Sequence, residues 1–145
     1  MSLAIITGST GLIGSESVNF FHEKGFDVIG IDNNLRKFFF GKNSSTNWVK
    51  AKLLKKNKNF KNYSIDIRNF SAVEKIFKKY RKNISAIIHC AAQPSHDYGK
   101  NFPFLDFNIN ATGTLNLLEL TKKYCPNSVF IFMSTNKVYG DNPNK

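Results

Sequence analysis

Cysteine is scarce in this chain: Cys90 and Cys125 stand far apart and without metal-ligand spacing. That excludes a disulfide framework and a cysteine-built metal centre, and it leaves the expectation of two reduced, buried thiols. No apolar run approaches the roughly 20 residues of a membrane span, and no basic stretch followed by a greasy one opens the chain, so a cytoplasmic protein without a membrane partner is expected. Repeats, low-complexity linkers and internal domain boundaries are missing too, and 145 residues hold one domain with a sizeable core. Acids are few: ten Asp and Glu face 21 Lys and Arg, a net charge of +11. Such a balance often marks a nucleic-acid surface. Here the lysines cluster at Lys50 to Lys61 and Lys75 to Lys82, on the polar faces of two helical patterns in a chain rich in Asn, Lys, Phe and Ile. They read as solvated faces with a general pull on anions, and no specific nucleic acid is expected.

What is present is a regular alternation. Apolar strand-like runs at 3–7, 26–31, 60–65, 84–89 and 128–133 alternate with helical patterns at 12–24, about 47–57, 70–81 and 103–124. This order predicts an α/β fold, a doubly wound (Rossmann) parallel sheet of about five strands with helices on both faces. Gly25 suits a left-handed cap after the first helix, Pro103 the start of the long helix and Pro126 its end. Phe38, Phe39, Phe40 and Trp48 interrupt the polar stretch 33–59. They are expected to cover the sheet edge as a satellite core, the alternative being that one of them lines a pocket or a subunit contact.

Between the first strand and helix runs Thr7-Gly8-Ser9-Thr10-Gly11-Leu12-Ile13-Gly14. A dinucleotide's pyrophosphate needs this arrangement, because the first helical turn offers unbonded N–H groups and a positive dipole end. Gly8 suits the tight turn, Gly11 the close approach to phosphate and Gly14 helix packing against the sheet. Asp32, at the end of the second apolar run, falls where a carboxylate accepts from the adenosine ribose diol and repels a 2′-phosphate, which favours NAD over NADP. Arg36 is the counter-signal, read as a solvated or locally paired charge. In a parallel sheet Gly8, Asp32, Asp66, Ala91, Ala92 and Thr135 all lie just past strand ends, at one carboxyl edge where ligands bind. Asp66 and the Ile67 amide would meet the adenine edge, or Asp66 would cap a helix. His89 reads as a packed structural residue.

At this point the chain resembles a family, the extended short-chain dehydrogenase/reductases that include the NAD-dependent nucleotide-sugar epimerases and dehydratases. The resemblance spans nearly the whole chain. It rests on the glycine motif, on Asp66-Ile67-Arg68, on His89-Cys90-Ala91-Ala92, on Asn110-Ala111-Thr112-Gly113-Thr114-Leu115-Asn116 and on Ser134-Thr135-Asn136-Lys137-Val138-Tyr139-Gly140. It implies a cofactor set of Gly8, Thr10, Gly11, Leu12, Ile13, Gly14, Asp32, Asn33, Asp66, Ile67, Ala91, Ala92 and Asn110. It also implies that Thr135 bonds the reacting sugar hydroxyl, against the alternative of a loop hydroxyl bonding its own backbone.

Asn136 and Lys137 stand where dehydratases of this family carry an acidic pair, so dehydration is disfavoured. The narrower match, over Asn33 to Arg36, Phe39 to Gly41, Ser45 to Trp48 and 134–141, is similar to the CDP-paratose (CDP-tyvelose) 2-epimerases. Such enzymes act by transient oxidation of the sugar and return of the hydride. Their Tyr-x-x-x-Lys base has no counterpart here, because Ile67, Ile84, Phe102, Ser128 and Pro143 follow the five tyrosines at that spacing. The expectation is the N-terminal NAD-binding part of a longer epimerase, without the sugar-binding C-terminal domain and inactive alone. The alternatives are another member of the family, such as a nucleotide-sugar 4-epimerase, dehydratase or reductase, or a non-catalytic nucleotide-binding module; homo-oligomerisation of the full-length form stays open.

Overall fold

The computed structural model describes residues 2–135. Five strands, β1 (Leu3–Thr7), β2 (Asp27–Ile31), β3 (Phe60–Tyr63), β4 (Ile84–His89) and β5 (Val129–Phe132), form one sheet in the order β3-β2-β1-β4-β5. Every pairing is parallel. The chain winds outward from β1 through β2 to β3, then returns to lay β4 on the other side of β1. The gap between the two windings is the switch point at which open α/β sheets take up ligands.

The helices are α1 (Leu12–Glu23), α2 (Arg36–Phe40), α3 (Asn47–Lys56), α4 (Phe70–Tyr80), α5 (His96–Asn101), α6 (Pro103–Phe107) and α7 (Gly113–Tyr124). Side chains alternate across the strands and build one core on each face. Ile5, Ile29, Ile31 and Ile87 meet Val73, Ile76 and Phe77 of α4 and Leu117 and Leu120 of α7. Ala4, Ile6, Val28 and Ile88 meet Val18 of α1 and Leu53 of α3. The long helical pattern at 103–124 is present as α6 and α7 joined by a π-helical turn, Asn108–Thr112. Pro103 opens it at the first turn, and it ends at Tyr124 before Pro126. Gly25 closes the α1 exit at φ +82°.

The lysines of the two clusters stand mostly exposed, two of them pairing with acids: Lys56 with Glu23, and Lys78 with Glu74, which also pairs with Lys123 of α7. Among the described residues no helix is long and apolar enough to cross a membrane.

The satellite core expected of the aromatics is not there. Phe38, Phe40 and Trp48 are 59%, 46% and 69% exposed. The reason is local: the α2 segment buries no residue, so its rings cannot reach the sheet. Phe39 and Phe38 instead meet Tyr98 of α5 edge-on at 5.0 and 5.8 Å, and Tyr98 stacks on Phe102 at 4.8 Å. The Arg36 guanidinium lies 4.9 Å over the Phe40 ring.

One anchor of the glycine loop depends on a missing side chain. Buried Ser9 donates to Asn62 Oδ1 of β3 at 2.8 Å across β2. The bond passes over Gly30, where a Cβ would stand 2.5 Å from Ser9 Oγ and 2.8 Å from Asn62 Oδ1. Gly30→Ala is therefore expected to break this bond and cost about 2–3 kcal/mol by overpacking. A thermal melt unchanged from the parent would refute this.

Candidate functional site

The loop from β1 into α1 is built by its glycines. Gly8 sits at φ +63°, where a Cβ would fall 2.8 Å from the Ala91 nitrogen, so the strap after β4 lies directly against it. At Gly14 a Cβ would fall 2.0 Å from the Gly8 carbonyl oxygen. Gly14 thus packs α1 on the loop itself, not on the sheet as the motif suggested. Gly11 is different, since a Cβ there meets only the Gly8 carbonyl oxygen, at 3.2 Å. No side chain caps α1 and no acid stands in its first turn. Leu12, Ile13 and Gly14 therefore present a bare helix start to a cleft of about 250 Å³.

Gly8, Gly11, Leu12, Ile13, Gly14, Asp32, Asn33, Asp66, Ile67, Ala91 and Ala92 line this one cleft. Five of the six residues expected to converge at the carboxyl edge are therefore together, and the sixth, Thr135, lines a neighbouring cavity instead. Asp32 faces the loop: Oδ2 accepts from the Thr10 amide at 2.9 Å and Oδ1 from the Asn34 amide at 2.8 Å. Each oxygen keeps acceptor capacity for a further donor. Phe39 and Arg36 also line the cleft, so the aromatic stretch contributes one ring to a pocket wall.

Four expectations need correction. Asp66 caps no helix, because the cap of α4 is Asn69, which accepts from the Ala72 amide. Nor is its carboxylate open to a ligand edge. Oδ1 accepts from the Arg68 amide and Nε, at 2.9 and 3.0 Å, and Oδ2 from Arg68 Nη2 and Asn33 Nδ2, at 2.7 and 3.0 Å. These four bonds use the lone pairs a carboxylate has. Burial pushes the Asp66 pKa up, but the Arg68 bonds and charge outweigh it and leave it below the ordinary value. Thr10 lines a neighbouring cavity instead, its hydroxyl 2.7 Å from that of Thr46. Cys90 is half-buried, not buried, and lines the cleft, with burial pushing its thiol pKa up. Asn110 stands away from the cleft.

Asn110 belongs to a second cavity of about 720 Å³, which shares Ala91, Ala92 and Pro94 with the first and also holds Thr135. Its Oδ1 accepts from the Gln93 amide at 2.9 Å and its Nδ2 donates to Asp106 Oδ1 at 3.0 Å. Gln93 Nε2 donates to the same Asp106 oxygen at 2.9 Å, and Gln93 Oε1 accepts from the Ser95 amide. Gln93 and Asp106 are members that the sequence pattern did not single out; the only cue was the proximity of Gln93 to Ala91-Ala92. Asn136, Lys137 and Tyr139 lie outside the described residues.

Comparison with known proteins follows the same lines. Residues 5–145 match the GDP-mannose 4,6 dehydratase family. The chain is 38% identical to CDP-paratose 2-epimerase of Salmonella typhi over 94% of its own length and 38% of that protein. The structure of Thermotoga maritima UDP-glucose 4-epimerase with UDP-glucose is 33% identical with a TM-score of 0.74, over 98% of this chain and 40% of that one. For Bifidobacterium longum UDP-glucose 4-epimerase in complex with NAD+ and UDP the figures are 27% and 0.79, over 96% and 38%. The chain thus spans about two-fifths of the length of the proteins it matches. With a family match running over all but its first four residues, and a sheet, glycine loop and carboxyl-edge cleft to go with it, this chain belongs to the GDP-mannose 4,6 dehydratase family.

Proposed function

We propose that this chain is the NAD-holding part of a nucleotide-sugar epimerase, most like a CDP-sugar 2-epimerase. The observation that carries this is the meeting of an uncapped helix start, an unblocked Gly11 and the Asp32 carboxylate in one cleft at the switch point. These residues fit the cofactor. The first-turn amides of α1 would hold its diphosphate, the Asp32 oxygens its adenosine ribose hydroxyls, and Ile67 its adenine edge. The small side chains of Ala91 and Ala92 would let it pass from the first cavity to the second. When bound, NAD supplies the acceptance and return of hydride that a keto-sugar route requires.

The chain's own work is to position. Asn110, fixed by Gln93 and Asp106, and Thr135 would orient the sugar hydroxyl in the second cavity. Asn136 and Lys137 in place of an acidic pair support epimerisation over elimination of water. With no Tyr-x-x-x-Lys pair in these residues, binding without turnover is expected of the chain by itself.

Calorimetric titration tests the reading. NADH is expected to bind, and NADPH at least tenfold more weakly, because a 2′-phosphate would meet Asp32. Absence of NADH binding, equal affinity for both, or epimerisation by this chain alone would overturn it. Product analysis with CDP- and UDP-sugars, on any form carrying the base, separates the 2-epimerase from a 4-epimerase.

A further inference from the structure

Thr7, His89 and Thr114 form a polar line through the core at the switch point, with Thr7 and His89 almost wholly buried, at 0% and 1% exposure. The role of each group follows from its neighbour. Thr114 Oγ1 lies 2.5 Å from the Asn110 carbonyl oxygen, which can only accept, so the Thr114 hydroxyl gives its proton there. The 2.9 Å contact between Thr114 Oγ1 and His89 Nε2 must then be donated by the ring. The ring is neutral, because burial pulls its pKa down to about 4, so Nδ1 carries no proton. Thr7 Oγ1, 2.6 Å from Nδ1, is therefore the donor, and its free lone pair accepts the Ala91 amide at 3.2 Å. All five members are satisfied in one direction only, Ala91 to Thr7 to His89 to Thr114 to Asn110.

We propose that His89 is a positioning residue: held as the Nε2–H tautomer, it ties the Ala91 strap of the first cavity to the Asn110 turn of the second and sets their separation. The functional part of this inference rests on reading the two cavities as cofactor and sugar sites; the tautomer does not. The other groups facing the ring are Phe130 and Phe132, at 6.2 and 5.6 Å between centroids. The titratable residues lining the cavity it borders are Lys100, His96 and Asp106, and none of them bonds the ring.

The first test needs no ligand. Two-bond 15N–1H correlation of the histidine rings at pH 7 is expected to show His89 protonated at Nε2 alone, and protonation at Nδ1 would overturn the proposal. The second uses His89→Phe, which keeps a ring and removes both bonds, and Thr114→Val, which cuts the line at its far end without touching the first cavity. Each is expected to weaken NADH binding about tenfold and to shift the Ala91 amide resonance, with the double variant no worse than His89→Phe alone. Native NADH affinity and an unmoved Ala91 amide in Thr114→Val would overturn the proposal, whether or not His89→Phe folds. Failure of the parent to bind NADH would instead strike the cofactor reading and leave the tautomer result standing.

Discussion

Gly11→Val is expected to abolish dinucleotide binding and lower the melting temperature by only about 3–4 °C, whereas Gly14→Ala is expected to unfold or severely destabilise the domain. The two glycines stand three residues apart in one motif, and the surroundings of their absent Cβ atoms separate them. Gly11 has an ordinary extended backbone, φ −74° and ψ 177°, and one neighbour at 3.2 Å. A valine there projects into the cleft and costs the fold about 1 kcal/mol through the poorer helix cap, while filling the space the diphosphate would take. At Gly14 the obstruction is the backbone of Gly8, its oxygen at 2.0 Å and its carbonyl carbon at 2.7 Å. Backbone cannot rotate aside, so α1 must leave the loop, a cost of about 4 kcal/mol or more. Circular-dichroism melts with NADH titration read both effects. A Gly11→Val protein that binds NADH normally removes the diphosphate from the helix start; a Gly14→Ala protein with parental stability contradicts the packing described here.

Acidification from pH 6.5 to 4 is expected to take about 3 kcal/mol from the fold through His89 alone. The unfolded chain protonates this imidazole near pH 6.5, the folded chain only near 4. Between those values the unfolded state binds the extra proton, so stability is intact above pH 6.5 and falls as pH drops toward 4. The gap of roughly two and a half pH units, at about 1.36 kcal/mol each, sets the size. Glu74 contributes lower on the scale. Bonds from Tyr124, then Lys123, bring its pKa down from 4.5 to about 2, and its share is lost only as pH falls through that range. Urea unfolding at pH 7, 5.5 and 4.5 should show the loss in the parent and its disappearance in His89→Phe. Equal slopes in both proteins would rule out His89 as the source.

Much of the site was legible because parallel topology turns sequence position into place. Once β1, β2, β3 and β4 are recognised as apolar runs alternating with helical patterns, Gly8, Asp32, Asp66 and Ala91 must share an edge, and they do. What a residue does at that edge was less legible, since it depends on partners distant in sequence. Asp66 looked like a free acceptor until Arg68 and Asn33 closed on it, and Thr10 like a cleft residue, although its hydroxyl is taken up by Thr46. The helices α2 and α5 escaped notice for another reason. Neither buries a residue, so neither carries the 3.6-residue apolar period that marks a helix packed on a sheet. Of the two, α5 left one local trace, Ser95, whose side chain caps it by accepting from the Tyr98 amide.

The π-helical turn at Asn108–Thr112 carries a consequence for how this region can vary. An α-helix advances about 100° per residue, and a turn closed by bonds one residue longer absorbs an extra residue without breaking the rod. The winding of α6 is thereby offset from that of α7, and this phase difference lets Asp106 reach Gln93 while Leu117 and Leu120 still point at the sheet. Taking one residue out of the turn would restore regular winding and swing Asp106 about 100° around the axis. Single substitutions leave that offset in place, whereas a change in length removes it.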